Sequence, residues 1–381
     1  MKLTIKTESL RKALTLAAAM PGGAITDEQI IRFQAEKGKL TATRLNQTSL
    51  IHAYAESKTK KGGAVNVDSK TMGEMLKEIT SEEIELEAKG DILFLTAGKA
   101  VGKFKTVPDE VLTKAPAEDK SARDLIFKAG QLKTLLEVVT PAMGTEAQKR
   151  PFAQGVTVQN LGDGKGVQFI SSDSRRFHLA ESGLDEEIHE LIPDSVCNAL
   201  LKILAALEAQ ADVMLGFNEN AVFFNGATCE FRSAKAEVTP FDYTKFRPMI
   251  ESQSDSEITI NKAALISAVK LATPFGFNVS KVIGLNIRKG ELEIEANTEK
   301  GAECNQSVEG KGKNESQTRI SAPYFMQALS ACNGSEKVTL RHLAQPEAIC
   351  IKDDDRFLLV MAIRDARAAE AKAEAPAETA E

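Results

Sequence analysis

Apolar residues recur along this chain at two periods, and the alternation between them sets its organisation. After Leu125-Ile126-Phe127, a short extended piece, Gly130 leads into a stretch with Leu132, Leu135, Leu136 and Val139 at i, i+3, i+4 and i+7, the stripe of an amphipathic helix. Beyond a polar break, Gly155 to Val158 and Gly166 to Ile170 read as strands around a Gly162-Asp163-Gly164 turn. Ser171 to Phe177 then leads into a further strand at His178-Leu179-Ala180. The helix spacing returns at Leu10, Ala13, Leu14 and Ala17, and at Leu265, Ala268, Val269 and Ala272. A second series lies between: Met72, Met75, Leu76, Ile79; Cys197, Leu200, Leu201, Leu204; and Phe325, Ala328, Leu329, Cys332. Six helices in three pairs are therefore expected, the signature of an internal repeat.

Each helix precedes alternating, turn-punctuated strands. Ile84 to Glu87 and Ile92 to Leu95 flank Lys89-Gly90-Asp91; Val213 to Phe217 faces Val222 to Phe224; Val338 to Leu340 faces Ile349 to Ile351. Thr113 to Asp124 and Pro248 to Glu257 are polar and aperiodic and read as linkers. The expected division is three α+β domains, 1–119, 123–249 and 256–364, followed by an acidic Ala/Glu-rich tail over 365–381. Three unrelated α+β domains are the alternative reading of the same pattern.

Composition narrows the chemistry. A chain of 381 residues with 43% hydrophobic content is long enough for several cores, and its net charge of −6 argues only mildly against a nucleic-acid partner, because one face can differ from the average. The five cysteines (Cys197, Cys229, Cys304, Cys332, Cys350) form no CxxC pair, and the four histidines (His52, His178, His189, His342) show no metal-binding spacing. Unpaired thiols in a reducing compartment, with no metal and no cofactor, are expected. Arg11-Lys12 before Ala13 to Ala19 resembles a signal peptide but is too weakly hydrophobic. With no run of transmembrane length, a soluble cytoplasmic protein is expected.

The cations have a pattern of their own. Counting from the first apolar position of each helix, offsets one and five lie on the solvent side. Arg11 and Lys133 occupy the first; Lys77, Lys202 and Lys270 occupy the second; the last helix has Ser330, and Lys12 and Lys128 lie nearby. Were the repeats to close into a ring with helices inside, these residues would line the hole and meet the phosphates of a threaded duplex without regard to sequence. Solvated helix surface is the bland alternative, and Glu78 and Glu137 share these faces.

With repeats, cations and the Asp173-Ser174-Arg175-Arg176-Phe177 stretch in place, the chain resembles the bacterial DNA sliding clamp, the β subunit of DNA polymerase III, and its departures fit a phage-encoded copy or a distant lineage. The likeness runs over residues 1 to 364: Met1 to Ile5 with Leu10, Gly22-Gly23, Arg150 to Gly155, Pro240-Phe241-Asp242-Tyr243, and Val360 to Arg364. It implies an α+β fold of three clamp domains, each with two helices and antiparallel sheets, closing into a ring as a head-to-tail homodimer. The implied function is a non-catalytic processivity factor that encircles double-stranded DNA and tethers the replicative polymerase and the clamp loader by short peptides.

Carried over position by position, the peptide cleft would be Ala153, Ser172, Ser174, Arg175, Arg176, Phe177, Lys245, Phe246, Val282, Tyr324, Val360, Met361, Ala362, Ile363 and Arg364, with Arg176 and Arg364 fixing the polar ends of the peptide. DNA contact would fall to Arg11, Lys12, Lys77, Lys133, Lys202 and Lys270, and dimer contact to Phe104, on an edge strand Lys103 to Val107, against Phe275. Departures are several. The family's Thr-Asp-Gly-His-Arg-Leu becomes Ser172 to Phe177, and its Met-Pro-Met-Arg-Leu becomes Met361 to Asp365. Ala24 and Asp194-Ser195 stand where the family is basic. A DNA-free peptide-binding module and a metal-dependent nuclease, its acids among Asp353-Asp354-Asp355, are the competing functions. The acidic tail is read as a solvated extension or as a weak competitor for the cleft.

Overall fold

The computed structural model describes residues 1–21, 30–109, 120–144, 153–235, 238, 240–252, 254, 256–332, 336–353 and 355–363. Gly22-Gly23, Ala24, most of the first linker, Arg150, Asp354, Arg364 and the acidic tail lie outside them. Seven α-helices are described: α1 Thr7–Ala17, α2 Ser69–Glu78, α3 Ala129–Val139, α4 Asp194–Ala205, α5 Arg247–Glu251, α6 Lys262–Ala272 and α7 Ala322–Ala331. All but α5 follow directly on a strand, in turn Lys2–Lys6, Gly63–Asp68, Arg123–Lys128, His189–Pro193, Ser256–Asn261 and Ser316–Ser321. The strand-to-helix unit is thus repeated as the pattern predicts.

The apolar stripes are the buried faces. Every stripe residue named above is buried except Met75 and Leu201, which are half-exposed. Local chemistry fixes the starts of these helices. The Asp68 side chain accepts from Lys70 N (3.1 Å) before α2, the Asn261 side chain accepts from Ala264 N (3.0 Å) before α6, and Pro323 occupies the first turn of α7.

The chain falls into two compact units, Met1–Leu136 with Glu190–Thr239, and Glu137–His189 with Pro240–Glu381. In the first, one sheet of thirteen strands runs from Arg123–Lys128 at one edge to Lys58–Lys61 at the other. Its pairs are antiparallel, and Cys229–Ala234 against Ser49–Glu56, with Arg232 opposite Leu50, joins strands from distant parts of the sequence. Helix α1 packs on this sheet and touches α2 and α4. In the second unit the corresponding junction is Arg176–Glu181 against Arg356–Met361, Phe177 opposite Leu359. That junction builds the site described next.

Two expectations are corrected. Helix α5 runs into the stretch read as a second linker, because Pro248 sits in the first turn of a short helix that buries Ile250, too short to show a period. The strand Ala100–Val107 is an edge only over Ala100 to Lys105, since Thr106 and Val107 pair with Val67 and Asn66. The five cysteines are free, all but Cys304 buried, and burial pushes the thiols of Cys229 and Cys350 up to about 12. Among the described residues no helix is long and apolar enough to cross a membrane, and no three His, Cys, Asp or Glu side chains cluster to hold a metal.

Candidate peptide cleft and nucleic-acid face

The turn between the strands Val167–Ser172 and Arg176–Glu181 is tied by its own short polar side chains. Ser172 Oγ donates to Arg176 O (2.7 Å) and accepts from Ser174 N (3.2 Å), while Asp173 Oδ1 accepts from the backbone N–H of Arg175 and Arg176, both at 2.8 Å. Ser174, at the family's glycine position, adopts φ +70°, the left-handed region that glycine enters without cost.

Arg176 is occupied within the molecule. Its guanidinium donates to Asp173 Oδ2 from Nε (3.0 Å) and Nη2 (2.7 Å) and to Gln327 Oε1 from Nη1, and its carbon lies 4.0 Å from the centre of the Tyr324 ring. Only 7% of the side chain is exposed. Tyr324 and Gln327, three residues apart on α7, therefore face the turn together. Arg176 thus ties the turn to α7 through three of its five guanidinium N–H groups. Of the other expected terminal anchor, Arg364, nothing is described.

Behind the turn lies an aromatic cluster. Phe177 stacks on Phe246 (5.6 Å between centres, 15° between planes) and meets Tyr243 (5.6 Å) and Phe357 (6.0 Å) edge-on; Phe241 meets Tyr243 at 4.8 Å. Phe177, Tyr243 and Phe357 are buried, whereas Phe241, Phe246, Met249 and Met361 pack against them partly exposed. The 3-10 turn Tyr243–Phe246 is set by Asp242, whose Oδ1 accepts from Gln159 Nε2 (2.9 Å), Thr244 N (3.0 Å) and Thr244 Oγ1 (2.7 Å). These bonds, the one from Gln159 foremost, hold its carboxyl down at about 2. Lys245 projects as an exposed cation from this turn, and Arg175 is exposed on the other.

The strand end completes the cleft. Met361 N donates to Arg175 O (2.9 Å), Ala362 N to Glu347 O (2.9 Å) and Ile363 N to Arg319 O (2.7 Å), so Met361, Ala362 and Ile363 are held half-buried. Val282 pairs with Ser321 at the start of α7, and Ser321 Oγ donates to Ser280 O (3.0 Å). Ala153, Ser172, Phe177 and Val360 are buried support, with Ala153 O accepting from Gly144 N (2.9 Å). Sequence reasoning missed Phe241, Tyr243, Met249 and Gln327 as parts of this cluster. The density of aromatics over 241–246 was the available signal; nothing local marked Gln327.

The helix cations divide. Lys77, Lys202 and Lys270 are exposed and each stands in the last turn of its helix, where a positive charge complements the dipole. Lys12 and Lys133 are half-exposed. Arg11 is engaged: Nε and Nη2 donate to Leu76 O (2.8 and 2.7 Å), Nη2 also reaches Ile79 O at 2.5 Å, and Nη1 pairs with Glu8, so it caps the end of α2. Beside it, an open groove of about 360 Å³ between α1 and α2 is lined by Thr15, Ser69, Lys70, Glu74 and Lys77 among others, which adds Lys70 to the cations on this face.

No family model matches the chain. Among solved structures, the DNA polymerase III subunit beta from Pseudomonas aeruginosa superposes with a TM-score of 0.84 at 16% identity, covering 96% of this chain and 100% of that one. The chain has the fold of a bacterial sliding clamp. A sliding clamp from Bacillus subtilis gives 0.83 at 18% identity over 96% and 99%. Curated relatives include beta sliding clamps of Chlamydia pneumoniae, 23% identical over 72% of both chains, and of Chlamydia muridarum, 21% identical over 85% of this chain and 87% of that one. In sequence and in fold the chain is similar to bacterial β sliding clamps.

Proposed function

We propose that this chain is a DNA sliding clamp: a non-catalytic homodimeric ring of three-domain subunits, divided near 1–119, 123–249 and 256–364, that encircles duplex DNA and tethers a replicative polymerase and a clamp loader through the cleft at Ser172–Phe177 and Val360–Ile363. The observation that carries it is likeness to clamp structures over almost the whole chain, with no large region left to do something else. Two free sheet edges support ring closure. Among the described residues, Ala100 to Lys105 pairs on one side only, as does Glu303 to Glu309. Two exposed edges on one chain invite pairing between copies, and Phe104 and Phe275, both half-buried, are the proposed aromatic anchors of that contact. DNA contact is assigned to the exposed lysines Lys77, Lys202 and Lys270, joined by Lys12 and Lys133, with Arg11 contributing through the end of α2.

Two measurements together test this reading. The protein should run at dimer mass and remain with closed-circular duplex through gel filtration, and linearising the DNA should release it. Phe104→Arg should give monomers at low micromolar concentration and abolish retention. Retention that survives linearisation would mean ordinary binding, and a monomer with no retention would leave a DNA-free peptide-binding module. The nuclease alternative has no observation in its favour, and incubation of DNA with Mg²⁺ or Mn²⁺ checks it directly.

A further inference from the structure

The chain builds one strand junction twice, and the two copies differ at a charged position. In the second unit Asp173 Oδ1 accepts from the N–H groups of Arg175 and Arg176, Met361 N donates to Arg175 O, and Ala362 N donates to Glu347 O. In the first unit Asn46 Oδ1 accepts from Thr48 N (3.0 Å) and Ser49 N (2.7 Å), Ala234 N donates to Thr48 O (2.8 Å), and Lys235 N donates to Asn220 O (2.8 Å). Asn46 therefore corresponds to Asp173 and Ser49 to Arg176. Counting back along the preceding strand, Arg44 corresponds to Ser171, and the pairing agrees, for Arg44 lies opposite Ile51 as Ser171 lies opposite His178.

In the second unit this facing pair closes the end of a helix: Ser171 Oγ donates to Val139 O and His178 Nδ1 to Val138 O, the last carbonyls of α3. In the first unit Ile51 is apolar and fully buried, and Arg44 makes no hydrogen bond and no ion pair among the described residues. Alternation along Lys39–Leu45 puts Arg44 on the face of Leu40 and Ala42, the side on which α1 packs. Asn46 Nδ2 donates to Pro21 O (3.3 Å), which brings the same turn beside the chain that leaves α1. Arg44 is half-buried there, and burial alone acts on its guanidinium, pushing its pKa down. A cation held partly out of water with nothing to compensate it is a cost to the folded chain, which a partner from outside would offset.

Taking the chain to be a clamp whose helices face the duplex, as proposed above, we infer that Arg44 is a further DNA contact, its guanidinium reaching past the end of α1 to a backbone phosphate. Arginine presents its N–H groups as a planar fork that matches two phosphate oxygens, and its methylenes can stay on apolar surface while the head meets the anion. Standing on a strand, it is invisible to the helical spacing that picks out the lysines.

Binding of a short duplex by the full-length protein is measured from about 50 to 200 mM salt for wild type, Arg44→Ala and Arg44→Lys, beside thermal melts and retention on closed-circular duplex. Over that range wild type should lose about three- to four-fold more affinity than Arg44→Ala, the effect of one phosphate contact. Arg44→Lys keeps the charge and should keep the wild-type salt dependence. Arg44→Ala should melt at or above the wild-type temperature, because no internal bond is lost, whereas a structural arginine would lower it. A salt dependence unchanged in Arg44→Ala, or an Arg44→Ala protein too unstable to fold, would overturn the inference; wild type that still stays with circular DNA would leave the clamp reading in place. Wild type that neither binds the short duplex nor stays with the circle would overturn both.

Discussion

The helix faces and the Ser172–Phe177 turn both present cations, and they hold them in opposite ways. Lys77, Lys202 and Lys270 stand exposed on the last turns of their helices. Arg176 is buried, with bonds to Asp173 and Gln327 and a ring beneath it. A long side chain left in water keeps its rotamers and meets a phosphate wherever one comes, which suits a partner that slides. A guanidinium locked on both sides fixes the backbone around it, which suits recognition of one peptide in one pose. Charge alone does not distinguish these roles; the number of bonds that each charge already makes does.

The largest expected effect breaks the locked side of this contrast. Arg176→Ala removes a cationic partner of Asp173, a carboxylate only 12% exposed whose Oδ1 also accepts from two backbone N–H groups. Severing such a pair costs about 3–5 kcal/mol. Urea denaturation should register that loss, with peptide binding at the cleft falling in parallel, while Lys77→Ala should stay within about 0.5 kcal/mol of wild type. A cost under about 1 kcal/mol for Arg176→Ala would mean that the Ser172 and Asp173 backbone bonds suffice to hold the turn.

Next in size is a pH effect confined to the same region. His178, two residues beyond Arg176, is fully buried; its Nδ1 donates to Val138 O (2.8 Å), Nε2 has no partner, and burial pushes its pKa down to about 4. The unfolded chain takes up this proton near pH 6.5, well before the folded one does, so stability is full above that pH and is lost as pH falls toward 4. The gap corresponds to about 3 kcal/mol. Denaturation midpoints at pH 7.5, 5.5 and 4.5 should fall accordingly, and His178→Gln should flatten that part of the decline. A wild-type profile unchanged down to pH 5 would place the imidazole in contact with water.

Most of the fold was legible because burial imposes period. The stripe of α1, Leu10, Ala13, Leu14 and Ala17, is wholly buried, and so is that of α6. The hairpin Glu83–Lys89 with Ile92–Ala97 closes at Gly90, whose φ of +57° is what a glycine between two alternating runs announces. What stayed hidden was pairing across long sequence separation. Nothing near Phe177 names Leu359 as its opposite, or Gln327 as the acceptor for Arg176. A single-turn helix such as α5 has no period to read. In the site, residue types were readable but internal bonds were not: no local pattern announces that Arg11 reaches Leu76 and Ile79, or that Arg176 reaches Gln327.

The smallest effect sharpens the contrast within the helix faces themselves. If exposure decides which cations meet DNA, neutralising Lys77, Lys202 and Lys270 should lower the slope of log affinity against log salt by about one unit for each phosphate that is no longer neutralised. Arg11→Ala should behave otherwise. Its donors already serve Leu76, Ile79 and Glu8, so it should alter the slope little and instead loosen the end of α2, which shows as a lower melting temperature. Filter binding to a short duplex at salt concentrations from about 50 to 200 mM, run beside thermal melts, separates the two outcomes. Equal slopes for the triple lysine variant and wild type would mean that these helices do not face the duplex. A slope change for Arg11→Ala as large as for a lysine would mean that its guanidinium leaves α2 when phosphate arrives, and the contrast between held and free cations would then be one of degree.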